Sequence, residues 1–238
     1  MIRLLIILAS LPGILLIVYV YKQDKIEKEP KGLLLKLMLF GVLSIIPAVI
    51  AEVIGALILG LIFPEGGVLY AFIDCFFVVA LSEEGFKFLM LKAGSWKSRE
   101  FNYSFDGVVY AVSTGLGFAI VENIMYVIDS GVSLAFMRAF TAIVAHAVFG
   151  VIMGIFYGKA RQFETLCDER RKKLYFRRAL IYPALVHGLY DYLLSIENIF
   201  AGVAFVIVLI VLYVIMFAGV KSAAKKDAPT VPWPTNRW

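Results

Sequence analysis

Ala80-Leu81-Ser82-Glu83-Glu84-Gly85-Phe86-Lys87 sets two adjacent carboxylates and an ammonium inside a run, residues 68–93, that is otherwise apolar enough to cross a bilayer. Charges at that depth cost about 2.5 kcal/mol or more each on insertion scales, so they are rarely left there without a partner or a task. The run reads as a membrane helix that carries the chemical centre of the molecule.

Outward from that helix, the composition agrees. Of 238 residues, 61% are apolar and 17% charged, well beyond the apolar share of a soluble domain. The formal charge of +5 does not indicate nucleic acid, because the lysines and arginines fall between apolar runs instead of along one face. Cys75 and Cys167 stand in different segments without ligand or redox spacing, which argues against a disulfide framework or a cysteine metal site. The apolar stretch after Met1-Ile2-Arg3 is long for a signal peptide and lacks a small-x-small cleavage pattern, so it reads as a membrane helix.

At 1.5 Å per residue, about 20 apolar residues span the hydrocarbon core. Seven stretches qualify: 2–21, 33–63, 68–93, 107–128, 132–158, 178–195 and 199–220. Basic residues follow the first (Lys22, Lys25, Lys28, Lys31), third (Lys92, Lys97, Arg99), fifth (Lys159, Arg161, Arg170, Arg171) and seventh (Lys221, Lys225, Lys226). The intervening connections 64–67, 129–131 and 195–198 have none. This alternation predicts an all-α polytopic protein of about seven transmembrane helices, N-terminus outside and C-terminus cytoplasmic. A single domain over 1–220 is expected, followed by a disordered cytoplasmic tail over 221–238.

The spans hold polar residues that need an account. Both histidines of the chain, His146 and His187, lie in helices. His187 and Asp191 are four apart, hence on one face, where a carboxylate can fix the imidazole's tautomer. Glu83 and Glu84 stand four and three residues before Lys87, so one can pair with the ammonium while the other points elsewhere. Glu122 with Asn123 sits on another span. Counted from the cytoplasmic ends, Glu83, Glu84, Glu122, His146 and His187 all lie on the order of 10–25 Å deep, and they can share one pocket. Gly150, Gly154 and Gly158, and Gly107, Ala111, Gly115 and Ala119, repeat at four-residue spacing and predict close helix packing. Glu52, Asp74 and Arg138 belong to no cluster; they read as structural polar groups, with Arg138 snorkelling outward.

Such a pocket suits hydrolysis. A buried glutamate is a general base for water, and two imidazoles with an amide can donate to an oxyanion. Ser82 lacks an adjacent histidine and a nucleophile elbow. A zinc variant, with Glu83 or Glu84 beside His146 and His187 as ligands, has the two-histidine, one-carboxylate count of catalytic zinc, although no HExxH spacing is present. The expectation is a metal-free site, with zinc on Glu84, His146 and His187 as the alternative. A proton-coupled transporter would also bury Glu, His and Asp, but no repeat relates the two halves. A non-catalytic scaffold remains a further rival.

The Glu83-Glu84-x-x-Lys87 helix, Phe118-x-x-x-Glu122-Asn123, His146-Ala147-x-x-Gly150 and His187-Gly188-x-x-Asp191, in that order on successive spans, resemble the PrsW family of intramembrane proteases. More distantly they are similar to the CAAX prenyl endopeptidase and bacteriocin-processing group. The resemblance implies a bacterial cell-membrane endopeptidase making the site-1 cut in a single-span anti-sigma factor during a stress response. It implies a glutamate-dependent mechanism with Glu83, Glu84, Glu122, His146 and His187 catalytic and Lys87, Asn123 and Asp191 supporting. The prenyl proteases carry an arginine one residue beyond Lys87 and a histidine where Glu122 stands, so prenylated substrates are not implied.

Overall fold

The computed structural model describes the backbone of residues 2–230, and their side chains except those of 2–5, 8, 127–132 and 135. Regular structure among these residues is helical throughout. In chain order the helices are α1 (Ile2–Gln23), α2 (Lys31–Ile62), α3 (Val68–Ile73) running through a π-helical stretch (Asp74–Ala80) into α4 (Leu81–Ser95), α5 (Asp106–Phe140), α6 (Ala142–Thr165), α7 (Glu169–Ser195), and α8 (Ile199–Val214). A second π-helical stretch (Ile215–Gly219) leads from α8 into α9 (Val220–Lys225).

Among the described residues, four segments are long and apolar enough to cross a membrane: Lys31–Ile62, Asp106–Tyr126, Phe136–Thr165 and Ile199–Lys225. The other expected spans exist as helices, and two of them, 68–93 and 178–195, are less uniformly apolar. The 68–93 run carries Glu83, Glu84 and Lys87, and the 178–195 run is the second half of a helix that opens with Arg170, Arg171, Lys172 and Lys173. The 2–21 run lies in α1, part of whose side chains fall outside the described residues. So do those of the expected 129–131 connection.

That connection can be located indirectly. Arg138 Nη2 lies 3.0 Å from Glu122 Oε1. In a straight helix sixteen residues would separate them by about 24 Å, so the chain of α5 must fold back between the two.

α5 and α6 are the central pair. α5 also packs against α1 and α2, and α6 against α7, while α4 and the π-helical stretch before it fill the space between α2 and α7. The small-residue repeats make the α5–α6 approach possible: a Cβ at Gly154 would meet Val108 Cα at 2.4 Å, and one at Gly158 would meet Ser104 O at 2.1 Å. Leu39, Leu43, Ile46 and Ile50 of α2 and Val206, Ile207 and Ile210 of α8 are exposed, as expected for side chains facing lipid instead of water. At one end of the bundle Trp96, Phe101, Tyr157 and Phe176 form an aromatic cluster.

Part of the tail expected to be disordered falls within the described residues. Helix continues to Lys225, and a short strap follows, in which Thr230 N donates to Asn102 O at 2.7 Å and Ser104 N donates to Ala228 O at 2.9 Å. Residues 231–238 lie outside the described residues.

Candidate active site

Five elements build the site. α4 enters it through the π-helical stretch 74–80, whose wider turns shift the helical register just before Glu83; such stretches are frequent at functional sites. Pro47 removes an i→i−4 hydrogen bond from α2 beside Ile45, Val49 and Glu52, three residues that line the cavity. α5 supplies Phe118 and Glu122, α6 His146 and Phe149, and α7 His187 and Asp191. Together they enclose a cavity of about 430 Å³.

Lys87 is the hub. Its Nζ donates to Glu83 Oε2 and Glu84 Oε1, each at 2.8 Å, lies 3.2 Å from His146 Nδ1, and sits over the Phe118 ring at 3.9 Å. The spacing had suggested that only one glutamate pairs with it. Both do, because the flexible lysine stem reaches a point between positions one turn back. The glutamates still differ: Glu83 lines the cavity, whereas Glu84 is 1% exposed and faces Lys87 and His187.

The histidines connect the helices. His146 Nε2 is 2.9 Å from Glu122 Oε2, and with Nδ1 facing the Lys87 ammonium the fitting tautomer carries its proton on Nε2. His187 Nδ1 lies 3.1 Å from Glu84 Oε1 and Nε2 3.1 Å from Asp191 Oδ2, with Glu83 Oε2 at 3.9 Å. Its ring stacks on Phe149 at 4.6 Å, which holds the imidazole plane. The two imidazole centroids are 5.3 Å apart. One donor atom from each of Glu83, His146 and His187 falls within 4.8 Å of the others, so these three can hold a metal ion. In this set Glu83 stands where Glu84 was expected.

All eight expected residues converge: Glu83, Glu84, Lys87, Glu122, Asn123, His146, His187 and Asp191 are joined by contacts within the site. Asn123 serves differently from an oxyanion donor: its amide donates to Ala9 O at 3.0 Å and accepts from Arg138 Nε at 3.1 Å, tying α1 and the C-terminal end of α5 to the middle of α5.

Two residues read as structural belong here instead. Arg138 does not snorkel; it folds inward onto Glu122 and Asn123. The acidic excess within the spans was the signal for it, since Lys87 alone cannot balance Glu83, Glu84 and Glu122. Glu52 lines the cavity, and its Oε1 is buried with no hydrogen-bond partner among the described residues. Its isolation in α2 hid it, because no neighbouring polar residue marks that face. Asp74 does not line the cavity.

A family model described as PrsW family intramembrane metalloprotease matches residues 29–220. The chain is 36% identical over 184 residues to Protease PrsW of Oceanobacillus iheyensis, covering 77% of this chain and 80% of that protein. It is 35% identical to Protease PrsW of Bacillus subtilis (77% and 79%) and 32% identical to that of Clostridioides difficile (89% and 86%). No solved structure matches. The expectation of a site without metal finds no support in a family described as metalloproteases, and the Glu83, His146 and His187 donors suit the alternative. By a family match over most of its length and by these relatives, the chain belongs to the PrsW family of intramembrane metalloproteases.

Proposed function

We propose that this chain is a metal-dependent endopeptidase that cuts single-span membrane proteins inside the bilayer, at the cavity between α2, α4, α5, α6 and α7. The observation that carries this reading is the meeting of Glu83, His146 and His187 within 4.8 Å at the wall of a cavity of about 430 Å³. Two imidazoles and one carboxylate are the donor set of catalytic zinc, and Glu83, His146 and His187 would hold it. When bound, such an ion polarises the scissile carbonyl and makes water acidic enough to attack near neutral pH.

The chain's own groups do the rest. With one ring nitrogen of His187 given to a metal, the other keeps its N–H for the carboxylate it faces, Glu84 at Nδ1 or Asp191 at Nε2, and Glu122 takes the Nε2 proton of His146. Lys87 bonds Glu83 and faces His146 Nδ1, so it competes for two of the three donors and balances their charge. Of the cavity carboxylates, Glu122 and Asp191 already have partners and Glu83 is a ligand; Glu52 keeps an oxygen without a partner among the described residues and is the acceptor for the proton of the attacking water. The metal-free reading makes Glu83 itself that base.

The resemblance extends the proposal to an anti-sigma factor as substrate in a bacterial stress response. The alternation of basic loops supports seven spans in the cell membrane, N-terminus outside. A tagged single-span anti-sigma factor in liposomes with the purified protein tests the activity. Cleavage by wild type and none by Glu83→Gln, at equal reconstitution, is the expected outcome. A proton current without cleavage would favour the transporter.

A further inference from the structure

At the end of the bundle where the α1–α2 linker meets α5, a second group of carboxylates is buried. Asp24 and Glu29 are each 2% exposed and Asp106 1%, and one oxygen from each lies within 4.8 Å of the others. None has a basic side chain at ion-pair distance among the described residues. The nearest, Lys28, directs its ammonium to the main-chain carbonyls of Tyr21, at 2.7 Å, and Asp24. The other bonds of the group are few, and within it Glu29 and Asp106 hydrogen-bond to each other. Tyr110 donates to Glu29, and the main-chain N–H groups of Asn102 and Tyr103 donate to Asp106 Oδ2 at 3.0 and 2.7 Å.

A second observation points to a ligand. Asp24 Oδ2 is buried with no hydrogen-bond partner among the described residues. So is Oδ1 of Asn102, the residue whose N–H holds Asp106. A buried carboxylate oxygen without a partner costs several kcal/mol unless something positive meets it. Burial does raise Asp24 to about 6 and Glu29 to about 7, as uncompensated charge would.

We infer that Asp24, Glu29 and Asp106 form a second metal site, distinct from the catalytic cavity, that binds a hard divalent cation of the Mg²⁺ or Ca²⁺ class. Donors that are all oxygen, without imidazole or thiolate, select such ions over zinc. The role follows from position. The ion would clasp the α1–α2 linker to the first turn of α5 and to the 101–106 loop on which the tail strap lies. It would thereby fix one end of α2 and α5, the helices that carry Glu52 and Glu122.

The test uses the full chain in detergent, stripped by chelation and reloaded with stoichiometric zinc so that the catalytic donors are taken. Mn²⁺, Mg²⁺ or Ca²⁺ is then added alone. The expected result is one further Mn²⁺ per chain by electron paramagnetic resonance, displaced by Mg²⁺ or Ca²⁺, and a rise of about 5 °C or more in thermal midpoint at saturation. Asp24→Asn, with Glu29→Gln as a second variant should the first not fold, loses both responses, while Glu83→Gln keeps them. Absence of further Mn²⁺ binding by wild type overturns the inference, whatever the variants do. So does Mn²⁺ bound equally by Asp24→Asn. A midpoint that ignores all three cations but falls as pH rises through neutrality overturns it as well, since the carboxyls then share a proton.

Discussion

Lys87 is the residue on which the buried charge turns. It holds Glu83 and Glu84 at 2.8 Å each, at 2% exposure. Removing one partner of a buried ion pair leaves an uncompensated charge and costs about 3–5 kcal/mol. Lys87→Met should therefore lower the amount of folded protein in the membrane, measured by protease resistance of the inserted chain. A fully abundant Lys87→Met protein would mean the glutamates take up protons when the ammonium goes. Glu52 gives the opposite expectation. Its buried Oε1 has no hydrogen-bond partner among the described residues, so Glu52→Gln should insert normally and turn over about 10²-fold or more slowly, the usual contribution of a general base. Normal turnover at normal abundance would remove Glu52 as the acceptor of that proton.

Among the elements, the α5–α6 pair decides whether the site forms, since it carries Glu122 and His146. Backbone contact at Gly154 leaves no room for a side chain, with Val108 Cα 2.4 Å from where its Cβ would stand. Gly154→Val should separate the helices, lengthen the Glu122–His146 contact and abolish cleavage together with thermal stability. Gly202→Val, at a position with nothing within 4 Å, is the control expected to change neither. This packing was legible from small residues at four-residue spacing, as were the site residues that stood out as polar groups in apolar runs. Other features were not. The close approach of α2 to α5, where a Cβ at Gly41 would meet Thr114 O at 1.9 Å, depends on single glycines that form no pattern. The inward turn of Arg138 depends on α5 folding back, and the π-helical register before Glu83 depends on tertiary packing. The seat of Glu52 at the cavity is a matter of which face of α2 meets α4, and an apolar helix in lipid shows no hydrophobic side from which to read that.

At the scale of the whole molecule, the basic connections should share one side of the membrane. Reporter fusions after Gln23, Ser95, Thr165 and Lys225 are expected to report the cytoplasm, and fusions after Ile62 and Ser195 the outside. Fusions after Gln23 and Ser95 on opposite sides would remove the seven-span arrangement. The central claim is that Glu83, His146 and His187 hold a metal with which this cavity cuts peptide bonds. It is tested most directly by zinc removal and return on the purified protein in liposomes, with cleavage of a tagged single-span substrate as the readout. The account predicts that a strong chelator abolishes cleavage, that zinc restores it in wild type, and that His146→Ala and His187→Ala proteins neither bind zinc nor recover. Full cleavage in chelator by protein shown to be free of metal, lost only on Glu83→Gln, would contradict it and leave Glu83 as the base of a metal-free protease.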